Sequence, residues 1–278
     1  MAYDSYTLLH VSREGALVTA VVDAPPINVI TMELFGELAA LAVELEADPT
    51  ALVFVLKSAD PDFFLAHFDV SVLIAMADAP LAPTDVANAY HTMCHRFARM
   101  DKVTIAQIEG RVGGGGAELA MSFDMRFGVL GKTIINQMEV PIGILPGGTG
   151  TQRLPRLIGC ARALEIILGG IDLDAETAEK WGWLNRALPA DAIGAHVSAL
   201  AQRIASFPPQ AVRLAKQSVE AAALPLDDGC KVEAELFQTL LFTDAARAKM
   251  RRFLELGGQT RAGELRVADL SAEVALRP

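Results

Sequence analysis

The chain is predicted to be an α/β protein with a helical C-terminal region, and three observations carry that reading. Strand-like apolar runs alternate with amphipathic stretches as far as residue 207, in a repeated strand, strand, helix sense. Pro208-Pro209 then opens a stretch that is wholly helical in pattern. Between them, Val103-Thr104-Ile105-Ala106-Gln107-Ile108 reads as a buried strand. It runs through Gly113–Gly116 into Ala117-Glu118-Leu119-Ala120, a strand–glycine turn–helix junction. The chain therefore divides into a core at 1–207 and a helical region at 208–278.

In order, Thr7–Val11 and Ala16–Val22 read as paired strands about the turn Arg13-Glu14-Gly15. Pro25-Pro26 breaks the chain, and Leu34, Leu38, Leu41 and Leu45 mark one face of an amphipathic helix. Ala51–Leu56 is a buried strand. A loop at residues 78–84, with Pro80 and Pro83, leads to a helix around Val86–Met100, and a further strand is expected near Met125–Val129. Helices are expected at Ala211–Ala223 and from Gly229 to about Leu256. The tail from Gly257-Gly258 onward shows no persuasive element.

The 278 residues suffice for one large domain, with 52% hydrophobic residues and 21% charged. A formal charge of −10 argues against nucleic acid or an anionic membrane as the main partner, since both need a basic face. Cys94, Cys160 and Cys230 have neither metal nor redox spacing, so no metal site is expected. Met1-Ala2-Tyr3-Asp4-Ser5 has no secretory character and no apolar run is long enough for a bilayer, so the expected location is the cytoplasm.

The glycine junction is where chemistry enters. Glycines let backbone N–H groups face a ligand, and the helix that follows points its positive end at the same spot. Glu118 lies just behind as a candidate acid or base. A turn built for tight strand–helix packing explains the glycines equally well. A second block, Gln137-Met138-Glu139-Val140-Pro141-Ile142-Gly143-Ile144-Leu145-Pro146-Gly147-Gly148-Thr149-Gly150-Thr151-Gln152-Arg153-Leu154-Pro155-Arg156, brings another isolated acid before a Pro/Gly turn. Together with Gly114-Gly115-Gly116-Ala117-Glu118-Leu119-Ala120, it resembles the enoyl-CoA hydratase/isomerase (crotonase) family. That family's pattern runs G-G-G-x-E-L-A, then P-E, then G-x-x-P-G-x-G-G-T-Q-R-L-P-R. The resemblance spans roughly residues 12–256.

What the resemblance implies is a crotonase-like spiral of ββα units, followed by C-terminal helices that assemble a homotrimer or a dimer of trimers. It implies a lyase of fatty acid metabolism that hydrates a 2-enoyl-CoA, with acyl-CoA as substrate and no other cofactor. Glu118 would activate water and Glu139 would hand a proton to carbon. The backbone N–H groups of Phe68 and Gly115 would form the oxyanion hole, with Ala66, Asp69, Gly114 and Gly143 contacting substrate. Same-fold alternatives are a double-bond isomerase working with the Glu139-type acid alone and an acyl-CoA or β-diketone hydrolase. A non-catalytic paralogue is the alternative from another class.

Four departures from the family pattern bear on function. The oxyanion segment, of the type A/S-x-G-A-D in the family, is Phe64-Leu65-Ala66-His67-Phe68-Asp69, which adds bulk beside the thioester. Ser71 and Glu255-Leu256-Gly257-Gly258 stand where basic residues face the coenzyme phosphates, so weak coenzyme affinity is expected. Thr149 replaces a glycine. His67 is open to two readings, a third titratable group of the site or an imidazole facing a loop or subunit interface. His91 and His95 have a metal-pair spacing without a third ligand, and Trp181 and Trp183 are expected to seal the acyl pocket or a subunit contact.

Overall fold

The two buried apolar runs 53–58 and 103–108 pair in parallel at the centre of a six-stranded sheet. A computed structural model describes residues 3, 5–78 and 87–275. Its strands are β1 Leu9–Glu14, β2 Leu17–Val22, β3 Val53–Ser58, β4 Phe63–Leu65, β5 Val103–Ile108, β6 Arg111–Gly113, β7 Met125–Val129, β8 Ile134–Asn136, β9 Leu173–Asp174 and β10 Arg186–Leu188. Through the core, the helices are α1 Met32–Ala47, α2 Val70–Ala77, α3 Ala89–Arg99, α4 Gly114–Ala120, α5 Gly150–Ile158, α6 Cys160–Gly169, α7 Ala175–Trp181 and α8 Ile193–Ala205. The C-terminal region adds α9 Pro209–Glu220, α10 Leu226–Leu241, α11 Asp244–Glu255, α12 Arg261–Glu264 and α13 Val267–Ala275.

The large sheet has the order β1-β2-β3-β5-β7-β10, antiparallel only between β1 and β2. Parallel central strands are covered on both faces, so their side chains are apolar on both sides. Phe54 and Leu56 of β3 join the core beneath α1 and α3, whereas Val53 and Val55 join the core beneath α8. Strand β5 alternates in the same way, with Ala106 and Ile108 on one face and Val103 and Ile105 on the other. The predicted leucine stripe of α1 (Leu34, Leu38, Leu41 and Leu45) is fully buried, and Thr31 caps the helix by accepting from Leu34 N–H.

A second, four-stranded sheet, β4-β6-β8-β9, was not expected from the sequence. Its strands are only two or three residues long, too short to show alternation.

Two C-terminal expectations are corrected. The long helix expected from Gly229 to Leu256 is two helices, parted at Phe242-Thr243, where Thr243 caps α11 through Ala246 N–H at 3.1 Å. The tail is not featureless either. It forms α12 and α13, because Leu270 is fully buried, Arg203 donates to Ala268 C=O at 2.6 Å, and Lys249 donates to Val274 C=O at 2.9 Å. The helix expected from about Val86 begins at Ala89 behind the cap Asn88, and most of the loop expected at 78–84 lies outside the described residues.

Candidate active site

The small sheet is what assembles the site. Strands β4, β6 and β8 lie side by side in parallel, so their C-terminal ends reach one edge together. Those ends deliver the segment Ala66–Asp69, the glycine-led helix α4, and the segment Gln137–Glu139. Ile30 pins the first segment from both sides. Its N–H donates to His67 C=O at 2.8 Å, and its C=O accepts from Asp69 N–H at 3.0 Å. The intervening Phe68 N–H therefore points the other way and has no acceptor among the described residues.

Gly115 is the second residue of α4, where a helical N–H has no acceptor within the helix. A Cβ placed on Gly115 would lie 3.2 Å from Phe68 Cβ and 3.4 Å from Phe68 N, so the two free donors sit side by side. At Gly116 a Cβ would stand 2.4 Å from Leu65 C=O, a clash with backbone. Gly116 thus serves close packing, whereas Gly115 lines the cavity. Tyr90 fixes this wall by donating to Gly115 C=O at 2.6 Å while its ring meets Phe68 edge-on and stacks on Phe35.

The two glutamates face the same cavity from different elements. Glu118 is 3% exposed, and its Oε1 accepts from Gly148 N–H at 2.8 Å and Gly150 N–H at 2.7 Å. Burial pushes its carboxyl up to about 7; the charge of Glu139 adds to the rise, and the two N–H groups restrain it. Glu139 precedes the turn Val140–Ile142 and is 7% exposed. Burial raises its carboxyl too, opposed by its own backbone N–H and by the neighbouring His67. Its Oε2 is buried without a hydrogen-bond partner among the described residues. An unengaged carboxyl oxygen at this position is open to a hydrogen-bonding partner in the cavity.

The cavity, of about 320 Å³, brings together Phe68, Gly114, Gly115, Glu118 and Glu139, with His67 at its rim. His67 donates from Nδ1 to Phe68 C=O at 2.9 Å, and its ring also borders a second cavity lined by Pro25, Pro26, Glu33 and Asp69. Asp69 caps α2 by accepting from Ser71 N–H at 2.8 Å.

Three expected substrate contacts, Ala66, Asp69 and Gly143, do not line this cavity. Ala66 is buried with its carbonyl against Gly113, and Gly143 is the left-handed residue (φ 87°) that closes the turn after Glu139. The tryptophans also leave the pocket. Trp183 is fully buried in the main core, and Trp181 packs under the Arg162 guanidinium. His91 completes the capping box of α3, its Nδ1 accepting from Asn88 N–H at 3.2 Å, which accounts for its position without a metal.

Sequence reasoning missed Tyr90, Ile30 and the role of Gly148 and Gly150 as donors to Glu118. The last two lie inside the quoted Pro/Gly motif, so that motif held the signal; Tyr90 lies in the helix expected around Val86–Met100, whose pattern does not announce a hydroxyl bonded to Gly115. Thr149, between these glycines, has φ 111°, a conformation strained for a β-branched residue, which explains why glycine suits the position.

Comparison with known proteins agrees with this geometry. Residues 13–260 match the family model described as enoyl-CoA hydratase/isomerase. The chain belongs to this family. A probable enoyl-CoA hydratase of Mycobacterium bovis is 31% identical over 253 residues, covering 90% of this chain and 96% of the relative. The solved structure of an enoyl-CoA hydratase from Bacillus anthracis superposes with a TM-score of 0.81 at 25% identity, covering 90% of this chain and 96% of that one. An enoyl-CoA hydratase/carnithine racemase from Magnetospirillum magneticum superposes at 0.77 with 27% identity, covering 90% and 94%. The fold is accordingly the crotonase spiral with a C-terminal helical region.

Proposed function

We propose that the chain is an enoyl-CoA hydratase, adding water across the double bond of a 2-enoyl-CoA. The observation that carries this is the pairing of two buried carboxylates across one cavity from two unpartnered backbone N–H groups. The thioester oxygen accepts from Phe68 N–H and Gly115 N–H, which stabilise the enolate charge that builds there. Each such donor contributes on the order of 3–4 kcal/mol.

Two carboxyls in one poorly solvated site share a proton, so one is ionised while the other is protonated. Glu118 is the base, held by Gly148 and Gly150 through one oxygen and left free at the other. Titrating near 7, it is substantially ionised at neutral pH yet basic enough to take a proton from water. The hydroxide bonds to the β-carbon, the π electrons move toward the thioester, and Glu139 delivers its proton to the α-carbon. Proton transfer from Glu118 back to Glu139, directly or through solvent, resets the pair.

Retention of a structurally fixed Glu118 favours hydration over isomerisation, which needs a single acid/base. The three free cysteines suit the reducing cytoplasm as the place of work. Assembly as a homotrimer or dimer of trimers is supported by α10, which has no buried residue and exposes Leu226 and Phe237. The test of the mechanism is kinetic. Glu118→Gln and Glu139→Gln should each lower hydration kcat by at least about a hundredfold. Near-wild-type turnover in either variant would refute the two-glutamate mechanism.

A further inference from the structure

Helix α2 is apolar except for Ser71, yet none of its residues is buried, and Ile74 and Met76 are 63% and 50% exposed. An apolar helix with no core beneath it needs another reason for its composition. Val70, Leu73 and Met76 recur at helical spacing and form one wall of the catalytic cavity. The same cavity is lined by Ile142, Ile144 and Leu145, themselves 46%, 46% and 60% exposed. The cavity therefore has a polar end, where the two N–H donors and two glutamates meet, and a body made of apolar side chains.

Its charge is equally one-sided. Among the described residues, no lysine or arginine lines it; the ionisable groups are Glu118, Glu139, His67 and the phenol of Tyr90. A carboxylate at the far end of an acyl chain would lose its hydration against apolar walls, find no cation, and feel the field of the glutamates. The cavity, of about 320 Å³ and open to solvent on one side, gives an acyl chain room to lie along these apolar residues. Methionines at positions 32, 76 and 138 add walls that adapt to chain shape.

We infer that this enzyme selects longer uncharged, apolar acyl groups over short ones and rejects chains that end in a carboxylate. The inference rests on the hydratase reading for its thioester, but the pocket can be tested apart from the chemistry. Each methylene buried in the cavity is worth up to about fourfold in affinity, the equivalent of about 0.8 kcal/mol.

The experiment is calorimetric titration of the wild-type protein with butyryl-, hexanoyl-, octanoyl- and adipoyl-CoA, alongside turnover of the matching 2-enoyl-CoAs. Kd should fall from butyryl- to octanoyl-CoA by at least about tenfold. Adipoyl-CoA should bind at least about thirtyfold more weakly than hexanoyl-CoA. Tightest binding of butyryl-CoA, or adipoyl-CoA within about threefold of hexanoyl-CoA, would overturn the inference. The predicted binding series without water addition to any enoyl-CoA would instead refute the hydratase reading and leave the pocket's selectivity standing.

Discussion

Glu118→Gln offers a test of the site that needs no substrate. In the folded protein the Glu118 carboxyl titrates near 7, against 4.5 as the ordinary value, chiefly because it is buried. Its folded value is raised, so the folded chain holds a proton that the unfolded chain has released. The stabilisation is complete below about pH 4.5 and is lost as pH rises through 7. Over that interval the wild type should lose on the order of 3 kcal/mol from this group. Glutamine keeps an oxygen to accept from Gly148 and Gly150 N–H but cannot ionise.

The difference in unfolding free energy, variant minus wild type, should therefore grow with pH by about 3 kcal/mol between pH 4.5 and 7.5. Titrating groups remote from Glu118 are common to both proteins and cancel in the difference; only Glu139, which is coupled to it, responds to the substitution. Urea unfolding followed by far-UV circular dichroism at several pH values would measure it. A difference that stays flat across this window, or shrinks as pH rises, would refute the claim that burial raises the Glu118 carboxyl to about 7.

Thr149→Gly should stabilise the protein by about 1 kcal/mol in the same assay, because glycine relieves the left-handed backbone at that position. Phe68→Ala keeps the N–H donor and opens space beside it, so bulkier acyl chains should be turned over better relative to crotonyl-CoA in steady-state kinetics. His67→Ala separates the two readings of that residue: an imidazole outside the chemistry leaves the kcat–pH profile in place, whereas a loss beyond about tenfold with a shifted profile makes His67 a participant. Acetyl-CoA affinity should change less than about threefold between low and moderate salt, because Ser71 and Gly257-Gly258 stand where the family pattern has basic residues. Light scattering at micromolar concentration should give a trimeric or hexameric mass, with a monomeric mass contradicting the role assigned to α10.

The parts of the fold legible in the sequence are those where burial imposes a long pattern. Strands β5 and β7 match their expected ranges, and the stripe of α1 is buried as its spacing requires. The glycine junction and the two glutamates that line one cavity were likewise readable, because each lies in a contiguous motif of the sequence. Strands of two or three residues carry no period, so the small sheet that brings the site together was invisible. Tyr90 and Ile30 act through a hydroxyl and a peptide group whose partners are distant in sequence, so no local pattern announces them. The tail helices were missed because a single buried contact, Leu270, holds α13 in place of a full apolar stripe.

The central claim is that water is added across a carbon–carbon double bond between Glu118 and Glu139, and product analysis in heavy-oxygen water tests it most directly. The protein would be incubated with trans-2-octenoyl-CoA, and the products separated and weighed by mass spectrometry. The account predicts 3-hydroxyoctanoyl-CoA carrying heavy oxygen on the β-carbon, formed by the wild type and lost with Glu118→Gln. A migrated double bond without added water, or free octenoic acid carrying the label in its carboxylate, would contradict it.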